Sequence, residues 1–236
     1  IKGGASQPFF APITLVVNWR NDAEELWANR NTKGQIRSNI WMLKEAITSY
    51  FFRPGFSWTR RAVRFIPYIV PAGCIPSASR YMAYPARDKE YAAMGVTASN
   101  LATAYLRFFG EMFLRPNYMV EVVKTLPWVA LPQLTLKRIE QTVKTGVAIR
   151  RKKYQQEEPY QEFTLPAGVP VAEAFETPQF DHYSLLGVEL DREVAHAYGL
   201  NVSDLASLCR DFQEAVNAQR NNVEEADHEA DDEEEE

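Results

Sequence analysis

The sequence has few of the residues on which secreted and metal-binding proteins depend. It contains two cysteines, Cys74 and Cys209, which lie far apart in the chain, and three scattered histidines. Two distant cysteines do not indicate a disulfide framework, and the histidines do not show the spacing of a zinc site. We therefore expect a reduced, cytoplasmic setting and no metal.

Long apolar runs and catalytic motifs are lacking too. The apolar run that comes closest to transmembrane length extends from Phe65 to Pro76. It contains three prolines and is too short to cross a bilayer. The chain contains no phosphate-binding loop, no glycine-rich dinucleotide fingerprint and no Gly-x-Ser-x-Gly motif. No pair of carboxylates stands in a context typical of acid–base catalysis. The sequence therefore predicts no catalytic residue, no bound cofactor and no membrane partner for this chain.

Charge is distributed very unevenly along the chain. Residues 1–154 contain 23 Lys and Arg against 9 Asp and Glu, a net charge of +14. Residues 155–236 contain 3 Lys and Arg against 22 Asp and Glu, a net charge of −19. This asymmetry, hidden in the total of −5, indicates a part that binds polyanions joined to an acidic part.

The basic part is centred on residues 50–81, which contain no Asp or Glu. Arginines alternate there with aromatic residues, and Pro54-Gly55 and Pro71-Ala72-Gly73 are turn signals beside β-branched runs. We predict a strand, a turn and a second strand that present a basic surface, because arginine forks and hydroxyl groups bind phosphates and base edges. A sheet with aromatic core residues and solvated arginines is the alternative. The candidate DNA-binding residues are Lys2, Gly3, Gly4, Arg37, Arg53, Ser57, Trp58, Thr59, Arg60, Arg61, Arg64 and Arg80.

The rest of the chain completes an α+β prediction. The residues from Ile13 to Trp19 predict a strand, and residues 82–95 predict a loop. The residues from Leu134 to Tyr154 predict a helix. Its last turn is basic, which suits either the negative end of the helix dipole or contact with a phosphate. We predict a mixed-sheet domain over residues 1–135, a helical C-terminal segment over residues 136–222, and a disordered acidic tail over residues 223–236.

Four short motifs, taken in order, resemble a known family. They are Lys2-Gly3-Gly4 followed by Leu15–Trp19; Tyr50–Thr59; Pro71–Ile75 followed by a predicted helix after Thr97 and by Leu126-Pro127-Trp128; and Asp191–Val194 with Ala197–Leu200. Their order over residues 1–205 is similar to the C-terminal target-recognition region of adenine-specific DNA methyltransferases. The similar members are the PglX-like enzymes of BREX phage-defence systems and fused restriction–modification enzymes.

The resemblance implies methylation of adenine N6 in a specific DNA sequence, with this portion choosing the sequence. The family's catalytic Asn-Pro-Pro-Tyr motif and its S-adenosylmethionine-binding glycine motif have no counterpart here, and we expect them upstream of Ile1 in a longer protein. The implied partners are double-stranded DNA and the methyltransferase catalytic region or other defence-system subunits, and the implied cofactor of the intact enzyme is S-adenosylmethionine.

Two other functions compete with this one. The chain could be a protein-interaction or assembly subunit of a defence complex, whose basic region docks on an acidic partner. A nuclease ranks last, because it needs clustered carboxylates for metal ions. Arginines in one continuous stripe favour DNA, whereas arginines paired with carboxylates favour assembly. The acidic tail either covers the basic surface as a polyanion mimic or serves only solubility.

Overall fold

The computed structural model describes residues 8–37, 40, 44–62, 64–76, 81–109, 117–155, 181–201, 203–208 and 210. The strands are β1 (Phe9–Phe10), β2 (Gly55–Trp58), β3 (Pro67–Val70) and β4 (Met82–Ala83). The helices are α1 (Arg20–Ala28), α2 (Lys44–Ser49), α3 (Glu90–Ala98), α4 (Asn100–Phe109), α5 (Val120–Val123), α6 (Gln133–Tyr154) and α7 (Asp181–Ala197). The predicted acidic tail lies outside the described residues.

The four strands form one mixed sheet in the order β1-β3-β2-β4. β1 runs parallel to β3, whereas β2 runs antiparallel to both β3 and β4. All four residues of β2 and of β3 are buried, because helices and loops cover the two central strands. The predicted strand, turn and strand within residues 50–81 is therefore confirmed, and so is the α+β fold class.

Helix α6 is packed against β1, α3 and α7. Its buried residues Ile139, Val143 and Val147 recur every four positions, which gives the helix one apolar face and confirms the predicted helix. Two glycines bring neighbouring elements close to one another. A Cβ on Gly95 of α3 would lie 2.4 Å from Ile139 Cγ2, and a Cβ on Gly146 would lie 2.8 Å from the Phe9 ring.

Two predictions of local structure were wrong. Residues 11–19 form no strand, and Val16 is fully exposed. Strand propensity depends on packing against neighbouring strands, and in the described part of the chain no strand pairs with this segment. The loop predicted over residues 82–95 instead contains most of α3, because Gly95 provides space for α6 and does not end the helix.

The predicted boundary between residues 135 and 136 falls inside α6. One hydrophobic cluster joins residues from both sides of it, including Trp58 and Met94 before it and Ile139 and Val194 after it. The division into two domains stays a prediction, but the described part of the helical segment shares its core with the sheet. Within the described residues no helix is both long and apolar enough to cross a membrane.

Candidate nucleic-acid interface

Two of the predicted contact residues, Ser57 and Trp58 of β2, lie in the core. Ser57 is fully buried and its Oγ donates a hydrogen bond to the carbonyl oxygen of Tyr81 at 2.9 Å. Trp58 is 2% exposed and its Nε1 donates to the carbonyl oxygen of Tyr118 at 2.8 Å. We therefore correct their predicted role, because buried side chains with internal partners support the sheet and do not reach a phosphate.

Arg60 and Arg61 are exposed and follow β2 closely. The Nε of Arg60 donates to Oδ1 of the buried Asn117 at 2.9 Å, and the Arg60 carbonyl oxygen accepts a hydrogen bond from the Tyr118 N–H at 2.8 Å. Arg61 pairs with Asn117 in an antiparallel bridge. The backbone at this corner is thus held by the segment that follows α4, and Asn117 orients Arg60 without neutralising its charge. Thr59, the residue before them, is half-buried.

Arg64 is held by a chain of polar contacts that leads into the protein. Its Nη2 donates to Oδ1 of Asn100, the first residue of α4. The backbone N–H and the Nδ2 of Asn100 donate to the Asp191 carboxylate, at 2.6 and 2.5 Å. Both N–H groups of Asn100 bind Asp191, which leaves the side-chain oxygen of Asn100 to accept from Arg64. Burial raises the pKa of Asp191, and the hydrogen bonds from Asn100 and the charge of Arg64 oppose that rise.

A further cation, Arg107 of α4, lies near these residues. Burial raises the pKa of Tyr118 to about 12, and the charges of Arg107 and Arg64 both act on the Tyr118 hydroxyl and oppose this rise. We call Arg60, Arg61, Arg64 and Arg107 the Arg60 group. Sequence reasoning missed Arg107 because it stands within the aromatic pattern of a helix, and only the fold brings α4 next to the corner after β2.

Arg53 belongs to a second cluster, at the other end of β2. Its guanidinium carbon lies 5.7 Å from the centre of the Tyr50 ring and 5.8 Å from the centre of the Tyr84 ring. Those two rings are stacked, with centroids 4.9 Å apart and planes at 27°. The Nη1 of Arg53 donates to the carbonyl oxygen of Ser49 at 3.1 Å. We call Tyr50, Arg53 and Tyr84 the Arg53 group.

The two groups are separated by the length of β2. Arg53 lies two residues before the strand and Arg60 two residues after it. At about 3.3 Å per extended residue, their Cα atoms lie roughly 20 Å apart. The predicted arginines thus form two groups on this hairpin, and no contact in the described residues joins them into one continuous stripe.

The last described candidate residue, Arg37, does not belong to either group. Arg37 is exposed on the loop after α1, where its N–H donates to the Asn29 carbonyl oxygen at 2.8 Å, and no described contact links it to either group. Lys2, Gly3, Gly4 and Arg80 lie outside the described residues.

No ion pair with a described carboxylate cancels the charges of Arg53, Arg60, Arg61 and Arg64. Across the described ranges, the ion pairs are those of Arg138 with Glu193, at 3.4 Å, and of Lys144 with Glu140, at 2.5 Å. Both lie on α6 and α7. The oxygen partners described for Arg53, Arg60 and Arg64 are neutral amide or carbonyl groups. The charge of Arg64 also interacts with the Asp191 carboxylate, and Asn100 is hydrogen-bonded to both residues. Such guanidinium groups keep their charge available for an external anion.

Comparison with models of known protein families, and with curated proteins, finds no match for this chain. The site is therefore interpreted from its own geometry and from the motif resemblance.

Proposed function

We propose that this chain is the DNA target-recognition module of an N6-adenine DNA methyltransferase that acts in phage defence or restriction–modification. The observation that supports this most is the exposure of Arg53, Arg60 and Arg61 without a direct ion pair to a described carboxylate. These arginines lie in two groups and not in the continuous stripe that would favour DNA most, and a surface that docks on an acidic protein can use the same charges. The ordered motifs of the resemblance favour DNA. The two groups flank one strand and would contact phosphates or base edges of double-stranded DNA.

In this proposal the chain supplies recognition and a separate catalytic region supplies chemistry. That region would bind S-adenosylmethionine, take the target adenine out of the base stack and transfer the methyl group to N6. The residues of this chain would hold the duplex in register, with the Arg60 group and the Arg53 group on separate phosphates.

A titration of labelled duplex DNA at several salt concentrations tests the proposal. Binding should weaken steeply as salt rises, because each neutralised phosphate contributes about −0.9 to the slope of log affinity against log salt. The double variant Arg60→Ala/Arg61→Ala should lower affinity by roughly 1–3 kcal/mol for each arginine that reads a base, and should reduce the slope by about 1 for each arginine that binds a phosphate.

Arg138→Ala is the matched control, since it also removes an exposed arginine but one that is already paired with Glu193. It should leave affinity nearly unchanged. Absence of binding at low salt, a flat salt dependence, or an equal effect of Arg138→Ala would contradict the proposal.

An assembly role is the second candidate because of an apolar surface on another part of the molecule. A groove near α4 and the end of α7 is lined by Leu101, Tyr105, Leu126, Trp128, Tyr198 and Leu200. Trp128 in this groove and Phe109 at the end of α4 are more than half exposed, and exposed apolar patches often mark contacts with other proteins. Absence of duplex binding at low salt would favour this role for the chain.

A further inference from the structure

The Arg53 group differs from the Arg60 group in having an aromatic surface. Tyr50 is 44% exposed although one face of its ring stacks on Tyr84. Tyr50 is thus partly open to solvent beyond its contact with Tyr84. The guanidinium carbon of Arg53 lies 5.7 Å from the centre of the Tyr50 ring and 5.8 Å from the centre of the Tyr84 ring. The cluster therefore offers a partly exposed aromatic ring next to a positive charge.

The backbone holds this cluster in one position. The N–H of Phe52 donates to the Cys74 carbonyl oxygen at 3.1 Å, and the N–H of Gly73 donates to the Phe52 carbonyl oxygen at 2.9 Å. These bonds join the turn before β2 to the turn after β3. Phe52 has a φ of 64°, a left-handed conformation that is unfavourable for a bulky residue and that persists only where surrounding contacts impose it. Both features fix the turn that contains Tyr50 and Arg53, and the pairing of β4 with β2 places Tyr84 close to the start of β2.

The chemistry of the cluster selects among ligands. An exposed aromatic face beside an arginine is the arrangement with which proteins bind unpaired bases, since the base stacks on the ring and the guanidinium binds the neighbouring phosphate. Arg53 disfavours a cationic ligand such as a methylated amine by charge repulsion. Burial raises the pKa of Tyr84 to about 12 despite the opposing charge of Arg53, so this ring is neutral near pH 7 and adds no repulsion toward phosphate.

We propose that Tyr50, Arg53 and Tyr84 form a stacking site for a nucleobase that lies outside the double helix. Paired bases stack on both sides within a duplex and offer no free face, so the site takes a bulged, flipped or single-stranded base. This inference rests on the proposed DNA-binding function and specifies its substrate as DNA in which one base is unstacked. The Arg60 group, at the other end of β2, then binds the paired part of the same molecule.

The test compares two labelled duplexes of the same sequence, one fully paired and one with a single bulged adenine analogue, 2-aminopurine. The chain should bind the bulged duplex about tenfold more tightly, as expected for one stacked base, and the fluorescence of 2-aminopurine should fall on binding. Tyr50→Leu should abolish both the preference and the fluorescence change, whereas Tyr50→Phe, which keeps the ring, should retain them.

Phe108→Ala is the control, because Phe108 is a highly exposed aromatic residue of α4 outside both groups. It should bind both duplexes as the unchanged chain does, and circular dichroism of every variant reports folding. Equal affinity for the two duplexes, or a preference that survives Tyr50→Leu, overturns the stacking site. In either case, salt-dependent binding of the paired duplex still supports the proposed function. Failure to bind either duplex overturns both.

Discussion

Replacing Gly95 with Ala tests the close packing of α3 on α6. An added Cβ would lie 2.4 Å from Ile139 Cγ2 and 2.8 Å from Val143 Cγ2. Both atoms are methyl groups on β-branched residues, whose side chains have few alternative rotamers in a helix, so the helices must move apart. Overpacking of this kind costs about 1–3 kcal/mol, and the higher helix propensity of alanine offsets about 1 kcal/mol of it.

Gly187→Ala is the matched control in α7, because nothing lies within 4 Å of a Cβ added there. It should stabilise the protein by up to about 1 kcal/mol. Subtracting the free energy of unfolding of one variant from that of the other cancels the gain in helix propensity and leaves the packing cost. We therefore expect Gly95→Ala to unfold with a free energy about 1–3 kcal/mol lower than Gly187→Ala, measured by urea denaturation. Equal free energies of unfolding would show that α3 and α6 are not in such close contact.

Two further predictions concern charge. The pKa of Asp191 is raised by burial, so this residue contributes stability that is fully present below its ordinary pKa of 3.8 and is lost as pH rises through the raised value. Asp191→Asn has no carboxyl group to titrate, so it should not show that loss. We expect the free energy of unfolding, measured in urea at several pH values, to fall less for Asp191→Asn than for the unchanged chain as pH rises through this range. Parallel pH profiles for the two proteins would refute the prediction. If residues 223–236 compete with DNA for the basic surface, deleting them should tighten DNA binding at low salt, and the same affinity with and without the tail would leave it a solubilising segment.

Local sequence patterns were sufficient to predict part of this fold. The four-residue recurrence that ends at Val147 predicts α6. The turn signals at Pro54-Gly55 and Pro71-Ala72-Gly73, on either side of an aromatic and β-branched stretch, predict the strands β2 and β3, because both predictions depend on neighbours along the chain. The predictions failed where a residue acts through distant contacts. The local pattern around Gly95 predicts a loop, yet the missing side chain of this glycine is what allows α6 to pack on α3.

The sequence alone determined that this protein has a basic N-terminal part, an acidic C-terminal part and an arginine-rich hairpin. Only the tertiary structure decided which of those residues act together. The residue types in β2 do not reveal that both faces of the strand are covered, so Ser57 and Trp58, chosen as contacts for their hydroxyl and aromatic ring, are buried. Arg107 belongs to the Arg60 group and Tyr84 belongs to the Arg53 group, although each comes from a segment that is distant in the chain from the other members. Residue types set the charge and the local conformation, whereas burial and the meeting of distant side chains depend on the packing of the whole chain.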